Sequence, residues 1–427
     1  MKVLLKNCNI IDTIHDYENL NDVLIENGRI YKIAGLINDE AAKVININGM
    51  TLMPGFIDLH CHLREPGFEY KETIKTGTQA AAKGGYTTVC CMPNTNPVID
   101  NIDVLENLKS IILKNSLIEV IPIGAITKDQ RGKELVDLEK MTDCGVRLFS
   151  DDGNPVWNNS IMEKCLNFSK EKDILVIDHC ENLDLVSDGV INEGEVSRRL
   201  GLKGISKLSE ELPIIRNIIL AEKCDAPIHI AHISTVESLK IIKEAKEKGI
   251  KVTCEVTPHH ISLCDSDIID GDTNFKVNPP LRSRDDVEAL RQGLKDGIID
   301  IIATDHAPHS EKDKPSDFYK AANGISGIEI AFSVCYTYLV RTGLLTLKEL
   351  LNMMCLNPSN LLNINKGKIY IGSIADLTVI DLHRDFEVNK YEFVSKGKNT
   401  PFHGKRLWGE IIMTISEGNI VYRKEDE

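Results

Sequence analysis

Histidine and aspartate side chains recur along the chain at one kind of position, the end of a short apolar run. Imidazole nitrogens and carboxylate oxygens are ligands that zinc and several other divalent ions take in proteins. A single buried histidine is more often a satisfied core residue than a ligand. A whole set in equivalent positions predicts a metal site, and the set is His60, His62, Asp151 or Asp152, His179, His232 and Asp305.

The run that contains the first two histidines shows how they could share an ion. In D-L-H-C-H-L-R, the polar residues Asp58, His60, His62 and Arg64 alternate with apolar ones. Successive side chains of a β-strand point to opposite faces. Both histidines therefore lie on one face, and Arg64 lies on the same face.

The adjacent aspartates Asp151 and Asp152 end another run, and only one of them can face the same side as the histidines. Alternation alone does not decide between them. An aspartate that closes a strand also has a structural interpretation, as a turn or helix cap. His259 and His260 are interpreted in that structural sense and are not assigned as ligands.

The elements that would position this set alternate between strands and helices through the middle of the chain. Helix-like segments such as TIKTGTQAAAKGG, STVESLKIIKEAKEKG and RDDVEALRQGLKDG separate the apolar runs. Eight such β-then-α units predict an α/β fold, a (β/α)8 TIM-type barrel, in which the carboxyl ends of the strands meet at one mouth. The predicted strands are 54–62, 87–94, 118–126, 145–152, 174–180, 227–234, 251–260 and 299–306.

Both ends of the chain have a different sequence pattern, in which short apolar runs alternate with turn signals such as Asn27-Gly28 and Glu417-Gly418-Asn419. These ends are predicted to pair into one small β-sandwich-like domain outside the barrel. The division is 1–54 for the amino-terminal part of the β domain, 55–365 for the barrel, and 366–427 for the carboxyl-terminal part.

Composition limits the function classes. The 427 residues are 42% hydrophobic, and their net charge of −14 argues against nucleic-acid binding. No apolar run of about 18 residues is present, so no membrane span is predicted, and the amino terminus does not resemble a secretory signal. The 12 cysteines include no CxxC pair, which favours reduced thiols in a cytoplasmic protein.

Longer motifs narrow the interpretation. The stretch GFIDLHCHLREPGFEYKE with MPNT after it resembles the signature of bacterial dihydroorotases in the amidohydrolase superfamily. Further matches are SDDGNPV, IDHCEN, IAHIST, EVTPHH, ATDHAPH and NTPFHGKRLWGEIIMTISEGNIVY, and together they run from about residue 50 to residue 421. The His-x-His strand alone indicates only an amidohydrolase, whereas HLREPG followed by MPNT is much narrower.

The resemblance implies zinc as the cofactor, with one tightly bound ion and a second ion in each subunit. The first would be held by His60, His62 and Asp305, and the second by His179 and His232. An aspartate would bridge them, and the family favours Asp152. Many cyclic amidases of the superfamily use a carbamylated lysine there, but this strand has Arg147 and no lysine.

The resemblance also implies the roles of the remaining site residues. Asp305 would take a proton from a metal-activated water and return it to the leaving nitrogen. Arg64 would bind the substrate carboxylate through its guanidinium fork. Substrate contacts are expected from His62, Arg64, Asn94, Asn278, His309, Asn323 and Gly324. The family usually has Phe-Gly where this chain has Asn323-Gly324.

The implied activity is the reversible hydrolysis of dihydroorotate to N-carbamoyl-L-aspartate in pyrimidine (UMP) biosynthesis. The alternatives are another cyclic amidase, such as an allantoinase or hydantoinase, and a non-catalytic partner of aspartate carbamoyltransferase. The resemblance allows a homodimer and an association with that transcarbamoylase, with no nucleic-acid or membrane partner. The polar segment 310–323 is either a loop that covers the mouth or a plain surface loop.

Overall fold

A computed structural model describes residues 2–425 of the chain. Strands and helices are numbered here in chain order. The strands are β1 (Lys2–Ile10), β2 (Asn21–Glu26), β3 (Arg29–Ala34), β4 (Lys43–Asn46), β5 (Thr51–Pro54), β6 (Phe56–Cys61), β7 (Tyr86–Cys91), β8 (Glu119–Pro122), β9 (Leu148–Phe149), β10 (Leu175–Asp178), β11 (Ile191–Asn192), β12 (Gly204–Ile205), β13 (Ile228–Ile230), β14 (Val252–Val256), β15 (Ile301–Ile302), β16 (Leu377–Glu387), β17 (Arg406–Ser416) and β18 (Asn419–Arg423).

The α-helices are α1 (Ile74–Lys83), α2 (Ile102–Asn115), α3 (Leu138–Asp143), α4 (Asn159–Lys172), α5 (Leu183–Val186), α6 (Glu195–Leu200), α7 (Leu208–Cys224), α8 (Val236–Glu247), α9 (Arg284–Lys295), α10 (Ala331–Cys335), α11 (Leu347–Leu351) and α12 (Asn357–Leu361). Short 3-10 turns occur at Lys128–Gln130, Asp265–Asp267, Thr273–Phe275, Glu311–Asp313, Ile328–Ile330 and Lys390–Glu392. Two π-helical turns, Tyr336–Val340 and Asn352–Leu356, follow α10 and α11.

Eight parallel strands surround the centre of the molecule. β6, β7 and β8 pair in that order, and β9, β10, β13, β14 and β15 form a second parallel series. Single bridges join the two series, from Gly124 to Phe149 and from His306 to Cys61. The pairing therefore returns to the strand from which it began, in the order expected of a (β/α)8 barrel.

Helix α8 illustrates why the outer segments are helical. The side chain of Thr235 accepts a hydrogen bond from the Ser238 backbone N–H and so caps the first turn. Leu239, Ile242 and Ala245 recur at helical spacing and are buried, while the opposite side is polar. Such an amphipathic helix buries its apolar stripe against the strands.

A strand of the structure overlaps each of the eight predicted segments, but each strand is shorter than expected. β9 covers only Leu148–Phe149 of the segment 145–152, and β15 covers only Ile301–Ile302 of 299–306. Near two of the strand ends the backbone leaves the extended conformation, since φ is 29° at His232 and 44° at Asp305. His232 and Asp305 thus lie just beyond the strands, where their side chains can turn toward one another.

The two chain ends form a single eight-stranded sheet, in the order β18-β17-β16-β5-β1-β2-β3, with β4 alongside β1. Antiparallel pairing of β5 with β16 joins the amino-terminal strands to the carboxyl-terminal ones. The predicted turn at Asn27-Gly28 links β2 to β3, and both residues have positive φ, as such a tight turn requires. The buried residues Leu5, Leu52 and Leu377 pack beneath this sheet.

Two further features bear on the organisation of the chain. A small parallel pair, β11 with β12, was not predicted and lies between β10 and α7. Within residues 2–425, no helix combines the length and the apolar character needed to cross a bilayer.

Candidate metal centre and active site

His60, His62 and Asp305 meet at the carboxyl ends of β6 and β15. Asp305 Oδ1 lies 3.1 Å from His62 Nε2 and 3.6 Å from His60 Nε2. The bridge between Cys61 and His306 brings these two chain segments side by side. Residues 243 positions apart thus form one cluster, as the strand ends of a barrel would predict.

Asp152 lies at the centre of the wider group. Its Oδ2 is 3.4 Å from His62 Nε2, and its Oδ1 is 3.4 Å from His60 Nε2. The same Oδ1 is 3.6 Å from His232 Nε2 and 3.8 Å from His179 Nδ1. One carboxylate thus contacts both predicted ligand sets, which is the arrangement required of a bridging ligand.

Asp151 does not face this group. Its Oδ1 accepts hydrogen bonds from the backbone N–H groups of Ile126 and Thr127, at 2.7 and 3.0 Å, and its Oδ2 accepts one from the Thr127 hydroxyl. Burial raises the pKa of Asp151 to about 7, against the opposing effect of these hydrogen bonds. Asp151 therefore holds the loop after β8 and leaves the central position to Asp152.

The donor set fits a divalent metal ion. His60 Nε2 and Asp152 Oδ1 are buried and have no hydrogen-bond partner among residues 2–425. A buried polar atom without a partner costs about 1–3 kcal/mol, which a metal ion would offset. Two groups of donor atoms lie close enough together to hold an ion, His60 with Asp152 and His232, and His60 with His62 and Asp305.

Two histidines are oriented by acceptors on their other ring nitrogen. His60 Nδ1 donates to Glu255 Oε1 at 2.7 Å, and His62 Nδ1 donates to Asn94 Oδ1 at 2.9 Å. Both contacts leave the Nε2 lone pair directed at the aspartates, as metal-binding histidines require. Burial disfavours the charged form of Glu255, but His60 and His229 hold its pKa at about 2.

The ionised aspartates are stabilised by the same histidines. Burial raises the pKa of Asp152 and Asp305, but the imidazoles of His60, His62 and His232 outweigh it and hold both pKa values well below the usual range. Both carboxylates are therefore ionised at neutral pH. An ionised Asp305 can accept a proton.

Arg64 has an environment that suits an anionic ligand. Its Nε donates to the Pro308 carbonyl at 3.3 Å, and it forms no salt bridge with a carboxylate of the described residues. Its guanidinium also lies 3.3 Å from the imidazole of His309. The positive charge is therefore partly buried without a neutralising carboxylate among the described residues, unlike that of an arginine in a surface ion pair.

His309 is neutral in this environment. Burial and the nearby charges of Arg64 and Lys71 lower its pKa to about 2. Lys71 Nζ donates to His309 Nδ1 at 3.3 Å, and His309 Nε2 donates to the Asn323 carbonyl at 2.8 Å. Lys71 is paired with Asp313 at 3.6 Å, so Arg64 is the residue that gives this side of the pocket a local positive charge, although the chain as a whole is acidic.

The residues expected to contact substrate all line the pocket that contains Asp152 and Asp305. They are His62, Arg64, Asn94, Asn278, His309, Asn323 and Gly324. The structure therefore brings every predicted site residue to one place. His259 and His260 lie outside the two groups that could hold an ion.

Segment 310–323 is held against the pocket by a lysine. Lys314 Nζ donates to the carbonyls of Ala322, Lys276 and Gly324, at 2.8, 3.2 and 3.2 Å. Gly324 has φ of 139°, and a Cβ there would lie 2.6 Å from Ala307 Cβ. Glycine is therefore required at 324, while the side chain at 323 is less restricted because its backbone carbonyl makes the contact with His309.

Sequence reasoning missed the residues that support the site, namely Lys71, Glu181, Glu255 and Lys314. Glu255 gave a usable signal, because a charged residue inside the apolar strand KVTCEV needs a buried partner. Lys71 lies only seven residues after Arg64 and could have been found from the charge requirement of an anion site. Glu181 lies two residues after His179, a spacing that could have placed it on the same face, but its contact with Asn278 is 97 residues away. Lys314 gave no local signal, because its contacts depend on how the loops at the mouth pack.

Comparison with known proteins agrees with the resemblance. Residues 49–238 match the family model described as Dihydro-orotase-like. A dihydroorotase of Thermoanaerobacter sp. is 51% identical, over 100% of this chain and 98% of that protein. The chain belongs to the dihydroorotase family. A second family member, the dihydroorotase of Caldanaerobacter subterraneus subsp. tengcongensis, is 48% identical over 99% of this chain and 98% of its own.

Solved structures support the fold of this dihydroorotase-family chain. The L-hydantoinase (dihydropyrimidinase) from Arthrobacter aurescens superposes with a TM-score of 0.88 at 24% identity, over 99% of this chain and 96% of that one. The chain therefore shares the mixed α/β architecture of that cyclic amidase. At this identity the similarity concerns the fold and not the substrate.

Proposed function

We propose that the protein is a zinc-dependent dihydroorotase, which interconverts dihydroorotate and N-carbamoyl-L-aspartate in pyrimidine biosynthesis. The observation that carries the proposal is the pairing, in one pocket, of a candidate metal centre with an arginine that has no carboxylate partner within residues 2–425. Dihydroorotate has the two matching features, a hydrolysable ring amide and a free carboxylate. Full-length identity of 44–51% to curated dihydroorotases supports the same activity.

The metal proposal assigns zinc to both ligand groups. One ion would be held by His60, His62 and Asp305, and a second by His179 and His232. The position of Asp152 between the two groups supports its assignment as the bridge. When bound, zinc supplies a water of lowered pKa and polarises the amide carbonyl.

Asp305 is proposed as the proton carrier. In hydrolysis, water adds to the ring carbonyl carbon and the C–N bond of the ring amide breaks. Asp305 accepts the proton that the water loses and donates it to the leaving nitrogen, so that the carboxylate is regenerated. Ring closure follows the same path in reverse.

The remaining pocket residues bind and orient the substrate. Arg64 offers paired N–H donors to the carboxylate. Asn94 Oδ1 accepts a hydrogen bond from His62, and Asn94 Nδ2 donates to the Asp152 carbonyl at 3.5 Å, which leaves one amide N–H for the same carboxylate. Asn278 is assigned to the ring, and the backbone at Asn323 and Gly324 closes the side of the pocket behind His309.

The scaffold and setting of the site are part of the proposal. The ring of eight parallel strands is assigned as a (β/α)8 barrel over 55–365, with the β domain formed by 1–54 and 366–427. The shared sheet of β5 and β16 supports that division. A cytoplasmic location, a homodimer and an association with aspartate carbamoyltransferase stay predictions; sedimentation of the protein alone and with the transcarbamoylase would measure the last two.

Side-by-side assays test the proposed activity against the rival cyclic amidases. The purified, zinc-loaded protein is given dihydroorotate, allantoin and hydantoin, and the chelator-treated protein serves as the control. We expect kcat/KM for dihydroorotate to exceed the other two by far more than about tenfold, a difference of ~1.4 kcal/mol in barrier. A preference for hydantoin or allantoin would contradict the proposal, and no turnover of any substrate would favour the non-catalytic partner.

A further inference from the structure

Glu181 connects two parts of the pocket that the proposed function treats separately. It lies just after β10, two residues beyond His179, and is 7% exposed. Its Oε2 lies 3.4 Å from His179 Nε2, and its Oε1 accepts a hydrogen bond from Asn278 Nδ2 at 2.9 Å. Among residues 2–425, it forms no salt bridge with a lysine or arginine.

The first contact determines which nitrogen of His179 carries the proton. Asn278 Nδ2 also lies 3.4 Å from His179 Nε2, but a charged carboxylate outweighs a neutral amide there. A carboxylate offers acceptors and no donor, so the ring nitrogen that faces Glu181 is the N–H. With the proton on Nε2, the lone pair is on Nδ1, which lies 2.9 Å from His232 Nε2 and 3.8 Å from Asp152 Oδ1. Nδ1 is therefore the atom that His179 offers to a metal ion.

The second contact determines the orientation of the Asn278 amide by the same argument. Its NH2 group must face Glu181, so its carbonyl oxygen points elsewhere. That oxygen accepts no hydrogen bond from a described residue, and Asn278 lines the pocket with Arg64 and Asp305. Asn278 thus presents an acceptor, which selects a ring with an N–H donor.

We propose that Glu181 is a positioning residue that fixes both the Nε2–H tautomer of His179 and the acceptor orientation of Asn278. One carboxylate then orients both a candidate metal ligand and a candidate substrate contact. The substrate part of this inference rests on the proposed function, whereas the tautomer part does not. In the substrate part, a cyclic amide whose ring nitrogen is alkylated loses its contact with Asn278.

The first test reads the tautomer without substrate or metal. Burial lowers the pKa of His179, but Glu181 and Asp152 outweigh it and raise this pKa to about 9, so the spectra are recorded above that pH. Nitrogen-15 spectra of labelled histidine in the metal-free protein should then show His179 as the Nε2–H form in the wild type. Glu181→Ala should shift it to a mixture of tautomers. Glu181→Gln has the same shape and keeps the test available if the alanine variant does not fold. The glutamine has one acceptor oxygen, so it cannot accept hydrogen bonds from His179 and Asn278 through separate oxygens. An unchanged tautomer in the folded variant would overturn the proposal.

The second test measures binding. Competition with a chelating dye should show that Glu181→Ala lowers Zn²⁺ affinity at the weaker of the two sites by about 10–100-fold, the usual cost of losing such a partner. For dihydroorotate, Glu181→Gln should raise KM more than it lowers kcat. Adding Asn278→Ala to it should raise KM no further than Asn278→Ala alone, because the two residues act as one unit.

The control is Glu193→Gln, which removes an exposed carboxylate from the segment just before α6. It should leave the tautomer, the Zn²⁺ affinity and KM unchanged, and the same losses in this variant would overturn the proposal. If the wild type does not hydrolyse dihydroorotate but Glu181→Ala shifts the tautomer and Zn²⁺ affinity, the proposed function fails and the positioning of His179 stands. If dihydroorotate is hydrolysed and KM is unaffected by Glu181→Gln, the positioning of Asn278 is wrong.

Discussion

Asp151 and Asp152 are adjacent in the chain, but their carboxylates have separate partners. Asp151 accepts hydrogen bonds from Ile126 and Thr127, whereas Asp152 lies 3.4 Å from the imidazoles of both His60 and His62. The two neighbours therefore separate a structural role from the proposed role in metal binding. Replacing each in turn distinguishes these roles.

Asp152→Ala is expected to lower the zinc content of the purified protein, with the second ion lost first, because that ion loses its bridging oxygen. Asp151→Ala is expected to keep the zinc content and to lower the melting temperature, because three hydrogen bonds to the loop after β8 are lost. Elemental analysis and thermal unfolding of the two variants measure both effects. The reverse order of zinc contents would show that Asp151 is the bridge.

Asp305→Asn separates metal binding from proton transfer. The amide oxygen can still act as a weak ligand, but it cannot accept a proton at neutral pH. Turnover should therefore collapse while part of the zinc remains, as measured by kcat and elemental analysis on the same sample. Activity that stays within about tenfold of the wild type, ~1.4 kcal/mol of barrier, would show that Asp305 is not the general base.

The sequence was sufficient for the parts of the site that follow from local alternation. The placement of His60 and His62 on one face needs only the two-residue period of a strand. The choice between Asp151 and Asp152 needs the position of Thr127, which is 24 residues away. Alternation therefore left that choice open, and the resemblance alone favoured Asp152.

Like the choice between Asp151 and Asp152, the lengths of the strands and the contacts that support the site depend on tertiary structure. A sequence pattern does not show the positive φ of His232 and Asp305, so the predicted strands ran too far at their carboxyl ends. Glu181 meets Asn278 across 97 residues, and neither lies within a strand. Such contacts are decided by how the loops at the mouth pack, for which no periodicity exists.

Lys314 is expected to control the order of segment 310–323. Lys314→Met removes donors to three backbone carbonyls. Since each hydrogen bond is worth about 0.5–1.5 kcal/mol and three are lost, amide hydrogen exchange in this segment should speed up by at least about tenfold. KM for dihydroorotate should rise as well, because Gly324 borders the substrate.

Lys320→Met is the matched control for this variant, since Lys320 lies in the same segment with 78% of its side chain exposed and pairs with Asp317 alone among the described residues. Mass-spectrometric hydrogen exchange compares the two proteins under identical conditions. Equal exchange rates in both variants would mean that the segment is held by its backbone contacts and not by the lysine.

Arg64 provides the sharpest test of substrate identity. Dihydroorotate carries a carboxylate beside its ring amide, while unsubstituted hydantoin and dihydrouracil do not. The guanidinium of Arg64 lies in the pocket with Asp152 and Asp305 and has no carboxylate partner among the described residues.

Arg64→Met removes this cation from a partly buried position and keeps an apolar side chain of similar length. It should therefore cut kcat/KM for dihydroorotate by roughly two orders of magnitude or more, ~2.7 kcal/mol of transition-state binding. Any trace activity on the uncharged cyclic amides should change little, and the zinc content should stay the same. Equal losses on both substrate types at intact zinc content would show that Arg64 supports the loop at Pro308 and does not recognise the carboxylate.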